Sequence, residues 1–168
     1  YFRKEYLLWK DRDHGGGFKG SFSSVAQAEQ ARLALLQEGE NPAEYEAVET
    51  AQHFVLIVDN SGNVVEEAVV SMSKSGLKPS RSLNTQVKAN GGDRFSRVYK
   101  LRAVEVTNKN GQDYFNWDIS GKGYVNEATH KAGEALYESI RAGVRDVDRT
   151  EEPVSSSQVV NPEPVDDI

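Results

Sequence analysis

The chain has 168 residues, 38% of them apolar and 27% charged, with 20 Lys and Arg against 26 Asp and Glu for a net charge of −6. This is the balance of one globular domain and excludes collagen-like, coiled-coil and wholly disordered chains; the lack of cysteine excludes a disulfide scaffold, a thiolate nucleophile and cysteine-ligated zinc or iron–sulfur centres. The longest apolar run, Phe54 to Val58, is far short of the roughly 20 residues that span a bilayer, so a soluble, cytoplasmic protein with no membrane partner is expected.

Tyr1 to Trp9 is rich in aromatic residues and reads as a strand. Asp13-His14-Gly15-Gly16-Gly17 supplies permissive backbone for a turn, and Phe18 to Phe22 is a short return strand. From Ser24 the period changes. Ser24 followed by Gln27 resembles a capping box, Val25, Ala28, Leu33, Leu35 and Leu36 give an apolar side, and Gly39 is a stop, which together predict a helix. Asn41-Pro42 opens an acidic connector with Glu44, Glu46 and Glu49, after which His53 to Val58 reads as a strand. The polar run Asp59-Asn60-Ser61-Gly62-Asn63 joins it to Val64 to Met72 as a hairpin. A helix is predicted within residues 75–89, with Pro79 in its first turn, Leu83 and Val87 on one side and Asn90-Gly91-Gly92 at its end. Ser96 to Val106 and Gln112 to Ile119 are strands around Asn108-Lys109-Asn110-Gly111, since Asn-Gly is a strong hairpin signal. Asn126 caps a last helix to about Val144, with Ala128, Ala132, Ala135, Leu136, Ser139 and Ile140 as its buried stripe.

Short antiparallel strands with one helix inserted before the last hairpin predict a mainly β, α+β domain over residues 1–145: a small antiparallel barrel like an OB-fold, plus the C-terminal helix. A two-layer α+β sandwich is the alternative.

Residues that carry chemistry are sparse. His14, His53 and His130 fall on a predicted loop, strand and helix without metal-ligand spacing. Asp11, Asp13 and His14 could offer ligands to a divalent ion, as the centre of a metal-dependent nuclease, but a polar loop leading into three glycines needs no metal. Ser71 with Lys74 and Ser75 with Lys78 match the spacing of a serine–lysine pair, yet the companion motifs of such enzymes are missing. Gly15-Gly16-Gly17 and Gly121-Lys122-Gly123 are no phosphate fingerprint and read as turns. No enzyme activity, metal or cofactor is expected.

The charge is unevenly placed. From Asp146 onward stand seven acids against Arg149 alone, so the entire excess of −6 lies there and the first 145 residues are neutral in sum. That segment also holds three of the five prolines, the run Ser155-Ser156-Ser157 and no aromatic residue, a composition that cannot bury enough surface to offset its ordering entropy; residues 146–168 are expected to be a disordered acidic tail. Between Val70 and Arg102 the cations Lys74, Lys78, Arg81, Lys88, Arg94, Arg97, Lys100 and Arg102 face one acid, Asp93. On the last two strands cations and rings interleave: alternation puts Arg97 with Tyr99 on one face and Lys100 with Arg102 on the other, followed by Tyr114, Phe115 and Trp117 across the turn. Cations that track phosphates beside rings that stack on bases are the parts of a single-stranded nucleic-acid platform. The plainer alternative is that the rings are core and the cations a solvated face.

A body of this kind followed by an acidic tail ending Val165-Asp166-Asp167-Ile168 resembles the organisation of single-stranded DNA-binding proteins of bacteria and phages, whose tails continue from Asp-Asp-Ile into Pro-Phe. Lys74-Ser75-Gly76-Leu77-Lys78 and Tyr114-Phe115-Asn116-Trp117 also look like small phage proteins of DNA replication. The resemblance implies an OB-fold body and a tail whose tip, Asp166, Asp167 and Ile168, recruits replication or recombination proteins and competes with DNA for the basic groove. The expected function is therefore sequence-tolerant single-stranded DNA binding, in the host cytoplasm if the protein is phage-encoded. Lys74, Lys78, Arg81, Arg94, Arg97, Lys100 and Arg102 are the candidate phosphate contacts, and Tyr99, Tyr114 and Trp117 the candidate stackers. The second expectation is a protein-interaction or structural module, such as a phage adaptor or inhibitor, without nucleic-acid affinity.

Overall fold

The computed structural model describes residues 1–147; of the expected tail, residues 146–168, all but Asp146 and Val147, and with it Asp166, Asp167 and Ile168, lies outside the described residues. Strand β1 (Phe2–Lys10) turns through a short 3-10 segment, where the Asp11 carboxylate accepts from the Asp13 amide, into β2 (Phe18–Phe22). Helix α1 (Val25–Ala34) starts where expected: Ser24 Oγ accepts from the Gln27 amide at 3.3 Å, and the Gln27 side chain returns the favour one residue earlier, accepting from Ser23 Oγ at 2.8 Å. Then follow β3 (Tyr45–Val58), β4 (Val64–Ser73), α2 (Leu77–Asn90), β5 (Arg97–Thr107), β6 (Asp113–Tyr124) and α3 (Glu127–Arg141), the last capped by Asn126, whose side chain accepts from the Thr129 amide.

The class is the α+β, mainly antiparallel one that the sequence implies. The strands are shared between a four-stranded sheet of order β2-β1-β3-β4 and a two-stranded ribbon of β5 and β6, so among the described residues they do not join around one barrel. The reason lies in α2, which carries the chain away from the β4 edge before the second hairpin begins; β5 and β6 then pair with each other alone. Two local expectations are also corrected. The acidic connector with Glu46 and Glu49 is part of β3, which is 14 residues long, because β1 supplies a partner for every residue from Tyr45 to His53. Gly121-Lys122-Gly123 is no turn but a bulge within β6: Tyr99 faces Gly121 and Val98 faces Gly123, leaving Lys122 as the extra residue.

β3 carries the architecture. β1 pairs with it from Tyr45 to His53 and β4 from Thr50 to Val58, so Thr50 to His53 are bonded on both sides. This overlap is also the most enclosed stretch, with Thr50, Ala51, Gln52 and His53 between 1% and 3% exposed. Two apolar clusters flank it. Leu8, Leu35 and Tyr45 form one, with Phe22, Ala31 and Ala47 packed on them under α1; Phe54, Leu136 and Ile140 form the other, under α3. The N-terminus of α3 is fastened to the β3–β4 turn, where Thr129 Oγ1 at 2.5 Å and Asn126 Nδ2 at 3.1 Å both donate to the Gly62 carbonyl. At its other end the chain runs back over the sheet: Asp146 accepts from Arg3 at 2.6 Å, and Val147 packs on the Phe54 cluster.

Gly133 marks the tightest contact of α3. A Cβ there would lie 2.8 Å from Phe95 Cβ, too close for an atom held next to the backbone to yield. Helix propensity alone gives Gly→Ala a gain of about 1 kcal/mol. At Gly133 the overpacking reverses that sign, and Gly133→Ala is expected to destabilise the fold by about 1–3 kcal/mol in urea unfolding.

Candidate nucleic-acid interface

The cations between Val70 and Arg102 separate into three groups. The first lies on α2. Lys78, Arg81 and Lys88 are exposed and share one side of the helix, at spacings of three and seven residues, while Ser80 and Leu83 are buried on the other. None of the three forms an ion pair among the described residues. Lys88 was not among the sequence candidates; its place three turns along the helix from Lys78 is the signal that finds it.

The second group is on the ribbon, which packs against α2 through β6. Cross-strand register sets Lys100 opposite Ser120, Arg102 opposite Asp118 and Val106 opposite Tyr114, so Lys100, Arg102 and Tyr114 share one face. Tyr99 lies on the other face, as do Trp117, opposite Ala103, and Phe115, opposite Glu105. The sequence candidates on the ribbon are thus split between its two sides. Arg102 pairs with Asp118 at 2.6 Å, and Lys74, in the turn before α2, pairs with Glu46 at 3.2 Å. All four side chains of these pairs are well exposed, and such pairs contribute about 0–1 kcal/mol, so both cations stay available to a stronger anion.

The third group is committed elsewhere. Arg97 lies over the Tyr124 ring, 4.2 Å from its centroid, and donates to the Tyr124 hydroxyl at 2.7 Å. Arg94 is half-buried: it donates to Asn84 Oδ1 of α2 at 2.8 Å and sits over the Phe2 ring at 5.2 Å, joining α2 to the end of the sheet. Burial lowers its pKa. Beside it His53, buried, shares a hydrogen bond of 2.8 Å with Ser80 Oγ. Phe95 next to Arg94 packs on His130 and Tyr137. Of the basic–aromatic set, Arg94 and Phe95 are therefore parts of the body.

Between the ribbon and the end of β4 is an open cleft of about 270 Å³. Phe115, Trp117 and Ala103 line it from the ribbon, Met72, Ser73 and Ser75 from the body. Asn116 Nδ2 spans it at the base, donating to the Ser75 carbonyl at 3.3 Å. The rings at this end are open to solvent, Phe115 at 73% and Trp117 at 39%, as is Tyr124 at 73% at the other end of β6. Phe115 and Tyr124 were not among the candidates; nothing in alternation alone says that both faces of this hairpin lack a covering layer. The Asp11–His14 loop is explained by its own geometry, Asp11 capping the turn, and among the described residues no three His, Asp or Glu side chains gather to hold a metal. No helix among the described residues is long and apolar enough to cross a membrane.

A neutral α+β body with a basic helix side and a projecting aromatic ribbon is the class that fold and surface define. Residues 1–146 match the family described as Pam3 phage gp34-like protein, and the chain belongs to that family, which is a phage one. No curated protein and no solved structure matches it.

The burial of His53 near the charge of Arg94 has a consequence for stability. Burial first, and then the charge of Arg94, push the His53 pKa from 6.5 down to about 4. The unfolded chain therefore takes up a proton over that interval that the folded chain refuses, and the stability due to neutral His53 is present above pH 6.5 and lost as the pH falls to about 4. His53→Gln is expected to lose less stability than the parent over this window in thermal melts followed by circular dichroism.

Proposed function

We propose that this phage protein is a non-enzymatic single-stranded DNA-binding protein of replication or recombination, with little sequence preference. The observation that carries the reading is the row Lys78, Arg81 and Lys88, exposed and without acidic partners among the described residues, on the helix that packs against a ribbon bearing Lys100, Arg102 and exposed rings. Cations in such a row neutralise successive phosphates and release counterions, and rings beside them stack on bases of any sequence. Lys74 and Arg102 add charge at the margins. Arg94 does not belong to this surface, and Arg97 would reach DNA only by leaving Tyr124. The acidic segment from Asp146, with Asp166, Asp167 and Ile168 at its tip, would compete for the same cations and recruit basic partners when DNA displaces it.

A second reading has an observation of its own: Phe115 and Tyr124 are 73% exposed, more than a DNA platform needs, and suit a protein-interaction or structural module of the phage particle.

Oligo-dT titrations separate the two. With Lys78, Arg81, Lys88 and Lys100 on phosphates, log Kobs against log salt should fall with a slope of about −3, and Lys78→Ala with Arg81→Ala should flatten it by about 1.4. Replacing Asp148, Glu151, Glu152, Glu163, Asp166 and Asp167 by their amides in the full chain should tighten binding. Failure to bind oligo-dT even at low salt with the amide variant, together with a stable protein partner, would establish the second reading instead.

A further inference from the structure

We propose that the cleft between the ribbon and the end of β4 is a subsite for one unstacked nucleobase of the bound strand, seated against Trp117 and Phe115. This inference rests on the single-stranded DNA reading and deepens it.

The size of the cleft sets the class of occupant. At about 270 Å³ it lies just below the roughly 300–1,000 Å³ that accepts drug-sized ligands, which suits a single planar ring system. Its two walls differ as a base requires. On the ribbon side Trp117 and Phe115 offer ring surface, which stacks on any base. On the body side Ser73 and Ser75 carry hydroxyls that make no hydrogen bond to any described residue, whereas Ser71, next along, is taken by Gln52 at 2.5 Å. Two free hydroxyls opposite two rings can satisfy the polar edge of a base while its face is covered.

The surroundings fit a strand rather than a free metabolite. Lys74 stands in the turn after β4, and Lys78 opens the basic side of α2 four residues later, so phosphates on either side of a seated base have cations to meet. The turn itself is held in an unusual shape: Lys74 has φ +48°, the only left-handed backbone among the described non-glycine residues. A residue with a Cβ adopts such a conformation only at a cost, and it is found where the surrounding structure fixes a functional loop. The hydrogen bond from Asn116 to the Ser75 carbonyl sets how far apart the walls stand.

The test uses the full chain carrying Trp9→Phe, so that Trp117 is the sole indole. Oligo-dT of about ten nucleotides, an abasic phosphodiester of equal length, and dTMP are titrated at low salt while the indole emission is followed. Oligo-dT is expected to quench it; the abasic chain should bind more weakly without quenching, and dTMP should bind far more weakly than the oligomer. Ala103→Leu, which fills the cleft from β5 without changing charge, should weaken oligo-dT binding about ten-fold, and Trp117→Ala should do the same while Trp117→Phe keeps most of the affinity. Oligo-dT that binds without altering Trp117 emission, and as tightly to Ala103→Leu, would overturn the subsite and leave the DNA reading standing. Quenching by dTMP as strong as by the oligomer would assign the cleft to a free nucleotide and overturn it also. No binding of oligo-dT at all would remove the DNA reading together with the subsite.

Discussion

The structure depends on four residues of β3 that are bonded from both sides. Thr50 to His53 pair with β1 in one direction and β4 in the other, and the two apolar clusters lie to either side of them along the strand, one through Tyr45 and Ala47 and the other through Phe54 and Leu56. A strand interior that is satisfied on both edges can tolerate polar side chains only where those too find partners. Gln52 meets Ser71 and His53 meets Ser80, so two side chains that cost free energy when buried alone become fixed points for β4 and α2. The placement of α2, and through it of the ribbon, follows from this small polar set at the centre of the sheet.

The cations then sort by distance from that centre. Arg94 lies close enough to be drawn into the body, where Asn84 and the Phe2 ring replace water around its guanidinium. Those on the outer side of α2 meet no acid among the described residues, and the helix itself carries none. A chain segment with eight cations and one acid thus builds a structural arginine, two loosely paired side chains, an arginine stacked on tyrosine, and, without an ion pair among the described residues, a row of three on α2 and Lys100 on the ribbon. Density of charge along the chain predicts the neighbourhood of the surface, and helical or strand geometry decides its members.

Much of the fold was legible because its signals are local. The Ser24 and Asn126 caps, the Asp59–Asn63 turn and the Asn-Gly hairpin each act through a few adjacent residues, and each stands where the sequence puts it. What escaped was set by partners distant in sequence. Glu46 and Glu49 look like a solvated connector until β1 comes to lie against them, and Gly121-Lys122-Gly123 looks like a turn until β5 imposes a bulge. The same holds at the surface. Strand alternation separated Tyr99 from Lys100 and Arg102, but that Trp117 would join the face of Tyr99, and that the ribbon would stand apart from the main sheet with rings open on it, depended on cross-strand register and on where α2 delivers the chain.

The bond from Asn116 to the Ser75 carbonyl divides the ribbon mechanically. Toward the body, from the pair Val104 and Asn116 back to Arg97 and Tyr124, both ends of the beam are held, since Val125 also donates to the Ser96 carbonyl at 3.1 Å. Beyond that bolt only three residue pairs and the Asn108–Gly111 turn continue outward as an overhang. Trp117 sits on the clamped side and Phe115 on the overhang, so the two rings of one cleft are mounted on parts of unequal stiffness.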